Sequence, residues 1–186
     1  VCFNSSLLKY GGDIAVGSMT ILASCMQLCI LPIQGLTQGA QPIISYNYGA
    51  GRWDRVHRTL AISVRAAVIS SLFSIIAFTL FPEQLVHLFI ADSDPAAQIA
   101  IEGFPYFATG FLFFILNLVA IGYLQSVEKV AASIIFALLR GVVFLFPAFL
   151  WLPQVTGVEG MWLALPLSEL LTFIVVVGYM FFKRSR

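Results

Sequence analysis

Gly35-Leu-Thr-Gln-Gly-Ala-Gln-Pro-Ile-Ile-Ser-Tyr-Asn-Tyr-Gly-Ala-Gly-Arg-Trp-Asp-Arg-Val-His-Arg58 decides how this chain is read. A long apolar segment ends inside it, and the chain turns basic immediately afterwards. The segment carries Gln34, Thr37, Gln38, Gln41, Ser45 and Asn47, all able to hydrogen-bond within otherwise apolar surroundings. A helix that only anchors a protein has no need of them, because polar groups in hydrocarbon cost free energy. A helix that lines a pathway does.

The rest of the chain sets the medium. Its 186 residues are 60% hydrophobic and 10% charged, and mean hydropathy is +0.94. Soluble domains carry about 25% charged residues, and so apolar a soluble fold would expose large aggregating patches. The chain is therefore read as integral to a lipid bilayer. The net charge of +1 gives no reason to expect a nucleic-acid partner. The first residue is Val1, with no signal-peptide pattern behind it, so the chain reads as a fragment of a longer protein.

Crossing the hydrocarbon takes about 20 apolar residues. Five segments qualify: Ile14–Tyr46, Thr59–Phe81, Gly103–Gln125, Ala131–Leu152 and Val158–Phe182. Residues 1–10 read as the end of a further span, closed by a Gly11-Gly12-Asp13 turn. The expected fold is all-α, a polytopic transmembrane helix bundle of five full spans plus the end of a sixth. Between the second and third spans, Pro82–Ile90 reads as a short interfacial helix. Asp92-Ser-Asp-Pro95 then reads as an N-cap with proline at the first helical position.

Charge orients the spans. Arg52, Arg55, Arg58, Arg65, Lys129, Lys183, Arg184 and Arg186 fall on one side. Asp13, Glu83, Asp92, Asp94, Glu102 and Glu159 fall on the other, with Lys9 the one base among them. The positive-inside rule puts the 49–58 loop, the 126–130 loop and the C-terminus in the cytoplasm. The expected location is a membrane, crossed several times (multi-pass).

Gln27, Gln34, Gln38, Gln41 and Ser45 are spaced by 7, 4, 3 and 4 residues. At about 100° per residue they share one helix face. That face should point into the bundle or a water-filled cavity. Interhelical hydrogen bonding and pathway lining both account for it; four amides on one stripe exceed what packing requires. Gly35 and Gly39 read as a close-packing pair. In the third span Gly103, Gly110 and Asn117 share a narrow face, with Tyr106 close by. Asn117 reads either as a cavity residue or as a packing hydrogen bond.

Arg140 and Glu169 are the ionisable residues deep in the spans. Counted from a turn near residues 155–156, they lie at nearly equal depth, about 3 Å apart along the axis at 1.5 Å per residue. A buried pair is expected, either fixing hairpin register or leaving Glu169 to titrate in ion coupling. Cys2, Cys25 and Cys29 read as small apolar residues, and His57 and His87 as interfacial. No nucleophile–base pair, metal motif or phosphate loop is present, so an enzyme is not expected. Gly49-Ala-Gly51 lacks the Lys-Ser/Thr of a phosphate loop and reads as turn chemistry.

Gly39-Ala-Gln-Pro-Ile-Ile-Ser-Tyr-Asn-Tyr-Gly-Ala-Gly-Arg52 resembles the loop signature of multidrug and toxin extrusion (MATE) transporters. Leu138-Leu-Arg-Gly, Pro147, Leu152-Pro and Gly157-Val-Glu-Gly-Met-Trp-Leu-Ala-Leu-Pro166-Leu-Ser-Glu169 continue the resemblance. So does Lys9-Tyr-Gly-Gly-Asp-Ile-Ala-Val16 upstream, so that nearly the whole chain is covered in family order. The resemblance implies one lobe of a twelve-helix transporter, with residues 1–186 as a partial C-terminal lobe and the N-terminal lobe as its missing partner.

It implies antiport of drugs or small amphipathic or organic cations against Na⁺ or H⁺ by alternating access across the plasma (inner) membrane, without a cofactor. Gln27, Gln34, Gln38, Gln41, Tyr106 and Asn117 are then the expected cavity residues. Asn47, Gly49, Ala50, Gly51 and Arg52 form the cytoplasmic loop motif. The family's coupling carboxylates have no counterpart within the third span here, so the coupling ion stays open. A lipid-linked oligosaccharide flippase of the same superfamily and a non-transporting membrane assembly subunit are the alternatives.

Overall fold

The computed structural model describes residues 2–91 and 95–184. Its elements are α1 (Cys2–Gly49), α2 (Trp53–Leu80), α3 (Pro82–His87), α4 (Pro95–Ser126), α5 (Val130–Leu138), α6 (Leu145–Thr156) and α7 (Val158–Arg184). A π-helical turn, Leu139–Phe144, joins α5 to α6 without a break. Among the described residues five spans are long and apolar enough to cross a bilayer: Val16–Gly49, Trp53–Leu80, Pro95–Ser126, Val130–Thr156 and Trp162–Phe182. The molecule is an all-α transmembrane bundle.

Two expectations need correcting. Helix α1 is continuous through Gly11-Gly12-Asp13, where a turn was expected to close an earlier span. Glycine in a helix interior costs only about 1 kcal/mol relative to alanine, so an intact hydrogen-bond ladder carries the backbone across. Pro32 and Pro42 likewise lie inside α1 without ending it. Second, a Cβ placed on Gly35 or Gly39 would meet nothing within 4 Å, so this pair brings no helix of the chain close. The expected cap at residues 92–94 lies outside the described residues. Pro82 does open α3, which ends at His87.

Helix α4 is the centre of the bundle and packs against α1, α2 and α7. Its buried Phe104, Phe107, Phe111 and Ile115 meet Leu22, Met26, Ile30 and Ile33 of α1 and Phe78 of α2. Phe78 lies 5.2 Å from Phe104 and 5.4 Å edge-on from Phe111, ring centre to ring centre. Such aromatic pairs contribute about 0.5–1.5 kcal/mol beyond their area. Toward α2 the approach is made by small residues. Ser63, Ser71 and Ser74 are buried and return their hydroxyls to the helix's own carbonyls, so none of these three hydroxyls is left unpaired.

Helices α4 and α7 run in the same direction, and their contacts descend in step. A Cβ on Gly103 would press on Trp162. One on Gly110 would collide with the backbone of Pro166, and Asn117 meets Glu169. The narrow face of Gly103, Gly110 and Asn117 is therefore the seat of α7. Helices α1 and α7 flank α4 and touch each other little, which leaves part of α4 open beside α1.

Candidate functional site

The opening beside α1 is polar. Gln34, Thr37, Gln38 and Gln41 of α1 face Leu118, Ile121, Gly122 and Gln125 of α4 across a cavity of about 190 Å³. Gln41 Nε2 donates to Gln125 Oε1 at 3.0 Å, and Ser45 Oγ donates to the Ser126 carbonyl at 3.1 Å. Gly122 permits this approach, since a Cβ there would stand 2.8 Å from Thr37 Cγ2 and 3.3 Å from Gln41 Nε2. Thr37 Oγ1 is buried with no hydrogen-bond partner among the described residues.

The amide stripe does not point into the bundle. Leu22, Cys25, Met26, Ile30, Ile33 and Ile44 take α1's buried face. Each apolar side chain gains more from burial than an amide does, so the amides are displaced to its edge. Gln34 and Gln41 are half-buried, while Gln27, Gln38 and Ser45 are exposed. Gln27 lies about 10 Å further along the helix at 1.5 Å per residue and does not line the cavity.

A second polar group sits where α4, α7 and the π-helical turn meet. Arg140 Nε donates to Glu169 Oε1 at 2.6 Å. Asn117 Nδ2 donates to the other carboxylate oxygen at 2.8 Å and to the Glu169 carbonyl at 3.0 Å. The Arg140 guanidinium carbon stands 4.1 Å above the centre of the Phe114 ring, a cation–π contact. Asn117 is fully buried and braces the carboxylate. Its Oδ1 has no partner among the described residues. The π turn contains Arg140. A π turn inserts one extra residue into the helical repeat, which changes where the following side chains project, and such turns are frequent at functional sites.

Tyr106 lies elsewhere, toward the acidic end. With Ile99, Glu102, Pro105, Glu159 and Trp162 it lines a cavity of about 660 Å³. The structure does not bring it to the amide groove. Two carboxylates and two aromatic rings at one opening suit an organic cation through charge and ring quadrupole together.

At the opposite, basic end the chain reverses between α1 and α2. Ala50 N–H donates to the Tyr46 carbonyl at 3.1 Å, Gly51 N–H to Tyr48 at 3.0 Å and Arg52 N–H to Asn47 at 2.8 Å. Gly51 has φ of 70°, a left-handed conformation that glycine adopts without a Cβ penalty. Asn47 is buried and donates to the Ile43 carbonyl at 2.8 Å. Gly49, Ala50 and Arg52 are exposed around the turn. Among the described residues no three His, Cys, Asp or Glu side chains group as a metal site.

Sequence reasoning left out Gln125 and Phe114 as members of these sites, and named Thr37 as a polar residue of the segment without placing it in the cavity. Gln125 had a usable signal, an amide in the last turn of an apolar span. Phe114 had none, being one of 17 phenylalanines.

A family model, MatE, matches residues 2–150. The chain belongs to the MatE family. Members of this family are transporters, not enzymes. The chain is 26% identical over 181 residues to the multidrug export protein MepA of Staphylococcus aureus strain MSSA476, covering 96% of itself and 39% of that protein. It is 29% identical over 148 residues to an uncharacterized MG447 homolog of Mycoplasma pneumoniae, covering 76% of itself and 24% of that protein.

Among solved structures, the MATE multidrug transporter DinF-BH aligns with TM-score 0.83 and 32% identity, over 98% of this chain and 41% of that one. An outward-facing MATE transporter aligns with TM-score 0.89 at 17% identity, again over 98% and 41%, a likeness of fold. The MATE chain described here thus spans about two fifths of the length of relatives such as MepA.

Proposed function

We propose that this chain is the C-terminal lobe of a twelve-helix antiporter. It would export drugs or organic cations in exchange for Na⁺ or H⁺ from the plasma membrane, with the basic end cytoplasmic. The observation that carries the reading is the amide groove. Gln34, Gln38, Gln41 and Gln125 gather at the open edge between α1 and α4, a position that lipid alone would penalise. A facing lobe would close that edge into a polar cavity in the basic half of the spans, leading toward the midplane where transporters hold substrate. The printed name of MepA, a multidrug export protein, supports the substrate class, and the acidic, aromatic opening around Tyr106 suits a departing cation.

A flippase for lipid-linked oligosaccharide needs free positive charge at depth to hold pyrophosphate. Arg140 already has Glu169 as its counter-ion, which weighs against that alternative. The test uses the full-length protein in proteoliposomes, following efflux of a fluorescent cation under a Na⁺ gradient and a pH gradient imposed separately. Efflux driven by one gradient identifies the coupling ion. Efflux driven by neither ends the antiport reading.

A further inference from the structure

A recess not used by the transport reading lies at the basic end, between α2, α4 and α7. It encloses about 640 Å³, and Trp53, His57, Leu60, Tyr123, Lys129 and Met180 are among its lining residues. Its chemistry is divided. Lys129 supplies positive charge, and Lys129 and His57 supply hydrogen-bond donors; Trp53 and Tyr123 are amphipathic rings of the kind that settle at headgroup level. Leu60 and Met180 extend the wall with apolar surface.

Lys129 makes no ion pair among the described residues, and Arg52, Arg55 and Arg58 are exposed on the adjoining first turns of α2. Two helices also start at this recess. Neither α2, beginning at Trp53, nor α5, with Lys129 as its N-cap, has a side-chain cap. Their first-turn N–H groups add positive partial charge beside the lysine. Among the described residues Asp54 and Glu128 are the carboxylates at this end, and both are exposed.

We propose that this recess is a binding site for the phosphate headgroup of an anionic glycerophospholipid from the leaflet at the basic end. Lys129 meets the phosphate as a point charge, with His57 as a second donor. Trp53 and Tyr123 hold the glycerol level, and an acyl chain runs along Leu60 and Met180. Basic recesses between transmembrane helices take anionic headgroups by this combination. A zwitterionic headgroup brings the same phosphate but adds a quaternary ammonium, which Lys129 and the neighbouring Arg52, Arg55 and Arg58 repel. The site stands apart from the amide groove, so its occupancy does not depend on the transport reading.

The experiment is native mass spectrometry of the full-length protein in detergent, titrated with phosphatidylglycerol or with phosphatidylcholine of the same chains. Phosphatidylglycerol is expected to remain bound where phosphatidylcholine is lost. Lys129→Gln should weaken its retention about fivefold, the effect of roughly one charge near a lipid surface. His57→Gln with Lys129→Gln should weaken it further, and Lys129→Arg should retain it. Elution volume and far-ultraviolet helicity, unchanged in each variant, separate a lost site from a lost fold. Excess inorganic phosphate should leave the lipid in place; displacement by it assigns the recess to free phosphate and overturns the proposal. Equal retention of both lipids, or retention unaffected in the double variant, also overturns it.

Discussion

Arg140 and Glu169 meet at 2.6 Å through the guanidinium Nε and one carboxylate oxygen, with side chains 18% and 3% exposed. The glutamate's other oxygen is held by Asn117. Three segments of the chain, α4, the π-helical turn and α7, are thus joined by one carboxylate. Two charges can remain at this depth because each is the other's counter-ion and neighbouring groups take up further hydrogen-bonding capacity.

Removing one partner strands the other. Arg140→Met leaves a buried carboxylate without a counter-ion and should destabilise the bundle by about 3–5 kcal/mol. Replacing both residues by methionine should recover most of that loss. Thermal unfolding of the purified protein in detergent measures it; a double variant no better than the single one would show that the pair is not the source. Glu169→Gln separates a structural from a coupling role. If the pH profile of transport stays the same, the carboxylate takes no part in coupling.

Gly110 has no room for a side chain against Pro166. Gly110→Leu should force α4 from α7 and cost about 1–3 kcal/mol or more, as overpacking does. Gly39→Leu is the matched comparison, since nothing lies within 4 Å of its Cβ position. Equal melting temperatures for the two variants would contradict the packing described.

The amide groove should matter to transport and little to folding. Gln34→Leu with Gln38→Leu keeps the bulk of each side chain and adds only apolar surface at a half-exposed edge. Cation efflux is expected to fall at least severalfold with the melting temperature nearly unchanged. Gln125→Leu should behave likewise, while Gln27→Leu, outside the cavity, should change efflux little. Undiminished efflux in the double variant would make the amides helix-to-helix glue.

Gly51 holds a φ of 70° at the turn between α1 and α2. Gly51→Ala places a Cβ in the left-handed region, at a cost of about 1–2 kcal/mol. Gly49→Ala, within α1, should cost less than Gly51→Ala and be near neutral or slightly stabilising, as a helix-interior change. Comparing their unfolding transitions tests whether the turn needs Gly51 alone.

Much of the architecture was legible because bilayer thickness imposes a length and charge imposes a direction. Five apolar runs separated by alternating basic and acidic connections left few other folds. The nearly equal depth of Arg140 and Glu169 followed from counting back from a turn, which the structure places at Gly157, with φ of 64°. The π-helical turn beneath Arg140 was not legible: Leu139-Arg-Gly-Val-Val-Phe144 has the composition of ordinary apolar helix. Gln125 joined the groove only because Gly122 lets α1 approach α4, a relation between residues more than eighty positions apart.

The sequence by itself determined the medium, the span count and the charge asymmetry, because each depends on local composition summed over about 20 residues. It also placed four amides on one side of α1, since helical periodicity is a property of the backbone. Tertiary structure alone decided which way that side faces. Leu22, Met26, Ile30 and Ile33 took the core of the bundle, and close packing admits one face at a time. The amides were left at the open edge, and Asn117, on a helix packed from several directions, was drawn inside to hold Glu169.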